Sequence, residues 1–316
     1  MEDECYKEYK KHRKRISVKL PNDITLPFLA YGFFKPCQLA YSQIKGYVFN
    51  KPKKVALHNF IIDHVNGMPV LKHKIGDYEV EASLMEFKYG KEKTAYEIIS
   101  LSRNKSIYKW DVINIGGERA NVLLNAGSES FPVYGYNFES KKYDWRDDPI
   151  YENTLSYLDK NISRIMESNN DLNDPMNFIK FIEIQSLYRT LWSALDRFIT
   201  FRYGDYQTWN VRKLSEEHFF KEALKDNYDA LYKQELYGKS KDDDWNRKVY
   251  SAENLTSYEL NPKKPTCSAL YYYTMRNNVV HSGKMLSQEV DMVLNALLGL
   301  TEIFRYSIDA VSKKKC

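Results

Sequence analysis

Met275-Arg276-Asn277-Asn278-Val279-Val280-His281-Ser282-Gly283-Lys284 lies between two apolar segments and concentrates reactive groups in ten residues. Long amphipathic patterns flank it on both sides and mark the carboxy-terminal half as helical. Arginine offers a fixed fork of donors that matches phosphate oxygens and does not deprotonate. Histidine, with an unperturbed pKa near 6.5, can take and return a proton around neutral pH. On a helix Asn277 and His281 are four apart and share a face, so the amide can orient the imidazole. Arg276 is five positions from His281, about 140° round the helix. The two side chains therefore do not converge from one ideal helix. Two copies facing each other across a two-fold axis would bring them to one site. The chemistry this suggests is attack on a phosphodiester.

Working outward, residues 178–203 carry Phe181, Ile184, Tyr188, Leu191, Leu195 and Phe198 at steps of three and four, with Leu187, Trp192 and Ile199 widening the stripe. That spacing predicts a long helix whose apolar side is core or dimer seam. After Gly283, Ser287 is placed to cap a final helix, with Glu289 and Asp291 in its first turns. Val290, Val293, Leu294, Leu297, Phe304, Ile308 and Val311 give it one apolar face. Two long helices around a motif helix make a bundle. Leu270-Tyr271-Tyr272-Tyr273 leads into the motif, and its rings suit either base stacking or packing against the long helix. Lys239 to Asp244 reads as a solvated loop, since three contiguous aspartates cannot all turn toward one metal.

Arg276-Asn277-Asn278-Val279-Val280-His281-Ser282-Gly283-Lys284 resembles the signature of HEPN domains, especially the ApeA-like branch, with a polar residue directly after the arginine. The resemblance implies an all-α, dimerising bundle and a metal-independent endoribonuclease. Arg276, His281 and Asn277 would be its catalytic residues, with Asp196 and Lys284 in support. Asp196 faces the cleft on that reading; ion pairing at the helix surface is the other. The resemblance also implies RNA as partner, tRNA among the candidates, no cofactor and no metal, and an antiphage defence or toxin role.

The amino-terminal half has a different texture. Residues 1–20 form a basic arm, which suits either a nucleic-acid backbone or solvent. Leu26-Pro27-Phe28-Leu29-Ala30-Tyr31 ends at Gly32 and reads as a buried strand entering a turn. Further strands are expected at 55–60, 78–87, 108–114 and 119–124, with a helix around 94–100 and turns at 66–69, 75–77 and 116–117. Short strands with glycine punctuation predict a small mixed β-barrel.

Tyr31-Gly32-Phe33-Phe34-Lys35-Pro36 is similar to the loop that opens gamma-glutamylcyclotransferase-like domains. Gly67-Met68-Pro69-Val70-Leu71, Val80-Glu81-Ala82-Ser83-Leu84 and Ala95-Tyr96-Glu97-Ile98-Ile99 continue the pattern, over roughly 24–140. In that family the loop's N–H groups hold a small acidic ligand, which would make Tyr31, Gly32, Phe33 and Phe34 ligand-binding. The family's catalytic glutamate falls at Ser102 or a neighbour in Leu101-Ser102-Arg103-Asn104, where there is no acid. Serine cannot be the general base, and Glu97 and Glu118 are the nearest carboxylates in sequence. A barrel that binds a small ligand or a protein trigger without catalysis follows, or a scaffold with no ligand.

Composition bounds these readings. A 43% hydrophobic and 28% charged chain of 316 residues has room for two globular domains. A formal charge of +5 permits RNA binding without requiring it. Cys5, Cys37, Cys267 and Cys316 lack metal-ligand spacing, which argues against structural zinc or a disulfide framework and for a reducing cytoplasm. No apolar run reaches the roughly 18 residues of a membrane span, so no membrane partner is expected. Pro149 in a first helical turn starts a helix to about 167, and 168–175 breaks the chain. The organisation expected is α+β: residues 1–145 a small mixed barrel, 146–175 a helical linker, 176–316 an all-α bundle that forms a homodimer. The rivals are a non-catalytic HEPN binding module and a small-molecule gamma-glutamyl cyclotransferase.

Overall fold

The structure, a computed structural model, describes residues 11, 16–65, 67–127, 142–167, 175–204, 207–233, 248–250, 256–281 and 287–313. Side chains of 175–178, 207, 228–233, 281, 287–289 and 291 lie outside that description. The chain divides into two compact units. One comprises Met1–Pro149 with Thr200–Trp209 and Lys314–Cys316, the other Ile150–Ile199 with Asn210–Lys313.

The first unit is a mixed sheet with two helices. Its elements are β1 (Phe28–Ala30), α1 (Tyr41–Ile44), β2 (Lys53–His58), β3 (Phe60–Val65), β4 (Met68–His73), β5 (Glu79–Met85), α2 (Glu92–Leu101), β6 (Tyr108–Ile115) and β7 (Glu118–Asn125). Strand order is β2-β5-β1-β7-β4-β3, with β6 also on β7. β1 runs parallel to β7 and antiparallel to β5. The hairpin β6–β7 turns through Gly116 and Gly117, both at positive φ (59° and 92°), as a tight two-residue turn requires.

The expected closed barrel does not form among the described residues. Three strands, β2, β3 and β6, have one partner each, and a left-handed residue, Asn59, stands between the first two. The expected strand at 55–60 is instead split there by a φ of +64°, a conformation asparagine tolerates better than most residues. The chain turns, β2 pairs with β5, and β3 pairs with β4, so the two strands diverge. Lys53 and Lys54 stand exposed on edge strand β2, and charges of this kind discourage strand addition.

Phe28 organises the core of this unit. Its ring meets Phe34, Tyr96 and Trp110 edge to face at 6.2, 6.3 and 5.8 Å. Helix α2 buries Ala95, Tyr96 and Ile99, and the Tyr96 hydroxyl donates to the Leu26 carbonyl at 2.7 Å. Aromatic pairs in these geometries add about 0.5–1.5 kcal/mol each beyond the area they bury.

The second unit contains most of α3 (Pro149–Glu167) and α4 (Pro175–Tyr203), then α5 (Gln207–Glu216), α6 (His218–Lys233), β8 (Lys248–Tyr250), β9 (Ser257–Glu259), α7 (Pro265–His281) and α8 (Ser287–Ser312). The antiparallel pair β8–β9 makes it other than all-α: Val249 pairs with Tyr258 inside a region whose charge had concealed any strand. Helix α3 buries Tyr151, Thr154, Leu158 and Ile165. Ile150, Leu155 and Ile162 on the same helix are only half-buried. Tyr151, Phe198 and Phe304 meet at 6.1–6.2 Å and so join α3, α4 and α8.

Cys37 is disulfide-bonded, contrary to the reduced state expected from spacing; distance in sequence says nothing about approach in space. Cys267 is free, and Cys5 and Cys316 lie outside the described residues. Most of the basic arm and the loop 239–244 also lie outside them. Among the described residues no helix is long and apolar enough to cross a membrane.

Candidate functional site

Helix α7 begins at Pro265, whose missing N–H is no loss in a first turn. Ser268, fully buried, fixes that end: its Oγ accepts from the Asn261 N–H at 2.8 Å and donates to the Asn261 carbonyl at 2.9 Å. Along the middle, Tyr271 and Tyr272 are buried, and the Tyr188 hydroxyl of α4 donates to the Tyr272 carbonyl at 2.8 Å. Tyr273 is half-buried with its ring 5.8 Å from that of Trp192. Tyr271 and Tyr272 are thus packed inside the unit, whereas Tyr273 meets Trp192 and stays half-buried.

The motif follows one turn later and divides by direction. Met275, Asn278 and Val279 are buried, while Arg276 and Asn277 are half-buried and Val280 is exposed. Asn278 donates through Nδ2 to the Tyr250 carbonyl at 2.7 Å, tying α7 to β8. The role expected for Asn277 at the imidazole involves the His281 side chain, which lies outside the described residues; Asn277 itself meets Arg276. Its Oδ1 accepts from Arg276 Nη1 at 3.0 Å, which uses one of five guanidinium donors and steadies the fork.

The helix brings Arg276 and Asn277 together. It ends at His281, whose side chain lies outside the described residues, as does Lys284. Five residues of helix separate Arg276 from His281 by about 7.5 Å of rise and about 140° of rotation. Asp196 is half-buried on α4, one turn beyond Trp192.

The second candidate is the loop of the first unit. Tyr31, Phe33 and Phe34 are each no more than 4% exposed, and Gly32 is buried with them. They line a cavity of about 20 Å³ with Pro69, Tyr108 and Arg103, enough for a single water. Arg103 is the residue the sequence reading passed over. Its guanidinium stacks 4.8 Å from the Phe33 ring and 4.7 Å from the Phe34 ring, and Nη1 donates to the Ser102 carbonyl at 2.7 Å. Burial pushes the Tyr31 hydroxyl well above its ordinary pKa, with Tyr108 adding to the rise. Glu97 is exposed on α2 and Glu118 is half-buried at the β6–β7 turn; neither lines this cavity. Ser102, where the resemblance would put the catalytic glutamate, is followed by this arginine, packed on two phenylalanine rings. No carboxylate is among the described residues that line this cavity. An arginine directly after the expected catalytic position was the available signal.

Comparison of the chain with protein-family models, with curated proteins and with solved structures returns no match.

Proposed function

We propose that the second unit is a metal-independent endoribonuclease of the HEPN kind, working as a homodimer. The observation that carries this reading is the half-buried pair Arg276–Asn277, hydrogen-bonded to each other on a helix where Met275, Asn278 and Val279 turn inward. A helix that needed only packing there would not need a steadied guanidinium one turn before its terminal histidine.

On this reading His281 takes the proton of a ribose 2′-hydroxyl as the oxygen attacks the adjacent phosphorus. The bond to the 5′-oxygen breaks, and that oxygen leaves with a proton returned from the imidazolium. Arg276, contributed by the facing copy, offsets the charge growing on the non-bridging oxygens. The products are a 2′,3′-cyclic phosphate and a 5′-hydroxyl. DNA resists because it lacks the nucleophile. Asp196 and Lys284 support the site on the same family analogy, as does a role in antiphage defence or as a toxin.

The test is incubation of the wild type, His281→Ala and Arg276→Ala with total RNA and tRNA in EDTA, followed by end-group analysis. The wild type should give cyclic-phosphate ends, and each variant should lose on the order of a hundredfold or more in rate. Cleavage that disappears in EDTA, or persists in His281→Ala, overturns the reading.

A further inference from the structure

The chain carries 47 basic and 42 acidic side chains, a surplus of only five, yet one cleft of the first unit gathers most of that surplus. Lys35, Lys45, Lys51, Lys54, Lys142 and Arg146 line it against two acids, Glu81 and Asp144: six against two, a surplus of four. Both acids are already engaged. Glu81 Oε1 lies 3.1 Å from Lys35 Nζ, and Asp144 holds Arg146 through two carboxylate contacts. Among the described residues no ion pair holds Lys45, Lys51 or Lys54. Concentrating like charge in a concave space opposes folding unless an anion enters it.

The fold explains how the cleft arises. Its floor is the β2–β5 ladder, where Lys54 pairs with Ser83 and Ala56 with Glu81, so Lys54, Ser83 and Glu81 share one face. The alternate residues Val80, Ala82 and Leu84 face the core. One wall is the turn after the Tyr31–Phe34 loop, running into α1 through Tyr41. The opposite wall is Lys142 to Arg146, joined to the first by the Trp145 N–H donating to Gln38 Oε1 at 3.0 Å. Lys35 is only 4% exposed, so its ammonium is built into the cleft and is not a surface lysine that happens to be near.

The space is about 980 Å³, at the upper end of the roughly 300–1,000 Å³ usual for small-molecule sites. Its lining is not only cationic. Pro36, Tyr41, Val48 and Pro52 supply an apolar wall, and Tyr41 is half-buried with its ring in the lining. A flat apolar group beside several phosphates fits that division, whereas an extended RNA strand asks for a row of stacking rings along an open groove. We propose that this cleft binds a nucleoside polyphosphate, its phosphates on Lys35, Lys45, Lys51 and Lys54 and its base against Tyr41. The proposal does not rest on the ribonuclease reading, since it concerns only residues of the first unit.

The experiment is titration of full-length protein with a fluorescent ATP analogue, with ATP, inorganic tripolyphosphate, adenosine and a twelve-nucleotide oligo(U) as competitors. Saturable binding is expected, weakened at least about tenfold in Lys51→Glu/Lys54→Glu and unchanged in His281→Ala. ATP should compete better than tripolyphosphate, adenosine should compete poorly, and Tyr41→Ala should remove the advantage of ATP over tripolyphosphate. The lysine pair is exposed, so unaltered melting of the double variant keeps the result interpretable even where Lys35→Met fails to fold. Lack of saturation at millimolar analogue, or equal affinity in the double variant, overturns the proposal. So does tripolyphosphate competing as well as ATP, which would mark a simple anion patch. Tighter, variant-sensitive binding of oligo(U) overturns it as well, assigning the cleft to an RNA strand.

Discussion

Asn278→Ala separates the structural from the chemical part of the motif. Asn278 is 3% exposed and gives its amide hydrogen to the Tyr250 carbonyl at 2.7 Å. Truncation removes one net hydrogen bond, about 0.5–1.5 kcal/mol, and leaves a small void beside it. Tyr250 is itself exposed, so water can reach the abandoned carbonyl and hold the total near about 1–2 kcal/mol. For a folded unit of some 150–250 residues each kcal/mol moves the melting midpoint by about 2–4 °C. Asn278→Ala should therefore melt roughly 2–8 °C below the wild type. Asn278→Asp should fall further, by about 3 kcal/mol or more, because a nearly buried carboxylate would face a carbonyl oxygen. Thermal denaturation followed by circular dichroism gives both midpoints, and cleavage is measured at 25 °C, well below them. RNA cleavage by Asn278→Ala should stay close to the wild-type rate. A variant that melts with the wild type, or that loses cleavage without any change in melting, would refute the division of the motif into inward and outward residues.

Three other outcomes follow from the same geometry. Arg276→Lys keeps the charge but loses the planar fork, so cleavage should drop at least about tenfold with no change in melting; full activity would show that the fork is not used. Gly204 sits at φ +105°, and an added Cβ would lie 3.1 Å from the Ser102 Cα, so Gly204→Ala should destabilise by about 1–3 kcal/mol in a denaturant titration; a neutral result would mean that the segment after α4 can shift. Burial works to raise the Glu81 carboxyl, but its hydrogen bond and ion pair with Lys35, aided by Lys142 and Lys54, outweigh that and hold it below its ordinary value. Its contribution is therefore present above the unfolded pKa of about 4.3 and is lost as pH falls through the lower folded value. Melting midpoints measured against pH should fall more steeply on the acid side for the wild type than for Glu81→Gln, and parallel curves would rule the pair out as a source of stability.

Sequence alone determined whatever depends on neighbours a few residues apart. The three-and-four spacing from Phe181 to Phe198 placed α4, short β-like runs between turn signals placed β5, β6 and β7, and the paired glycines at 116 and 117 placed a turn. It also marked Arg276 and Asn277 as adjacent donors and acceptors on one helix. Tertiary structure decided what depends on residues far apart in the chain. Asn59 has no sequence signature that announces a left-handed turn, yet it stands between β2 and β3. The segment Thr200–Gly204 continues a helix by every local rule, but the Phe201 ring meets that of Phe33 at 4.5 Å and Arg202 donates to the Leu39 carbonyl at 3.0 Å, both within the first unit. Lys35 reads as one lysine among many until β5 brings Glu81 beneath it and the chain returns with Lys142. Local torsions and side-chain periodicity are written in a short window of sequence, whereas the field inside a cleft is a sum over residues that only folding makes neighbours.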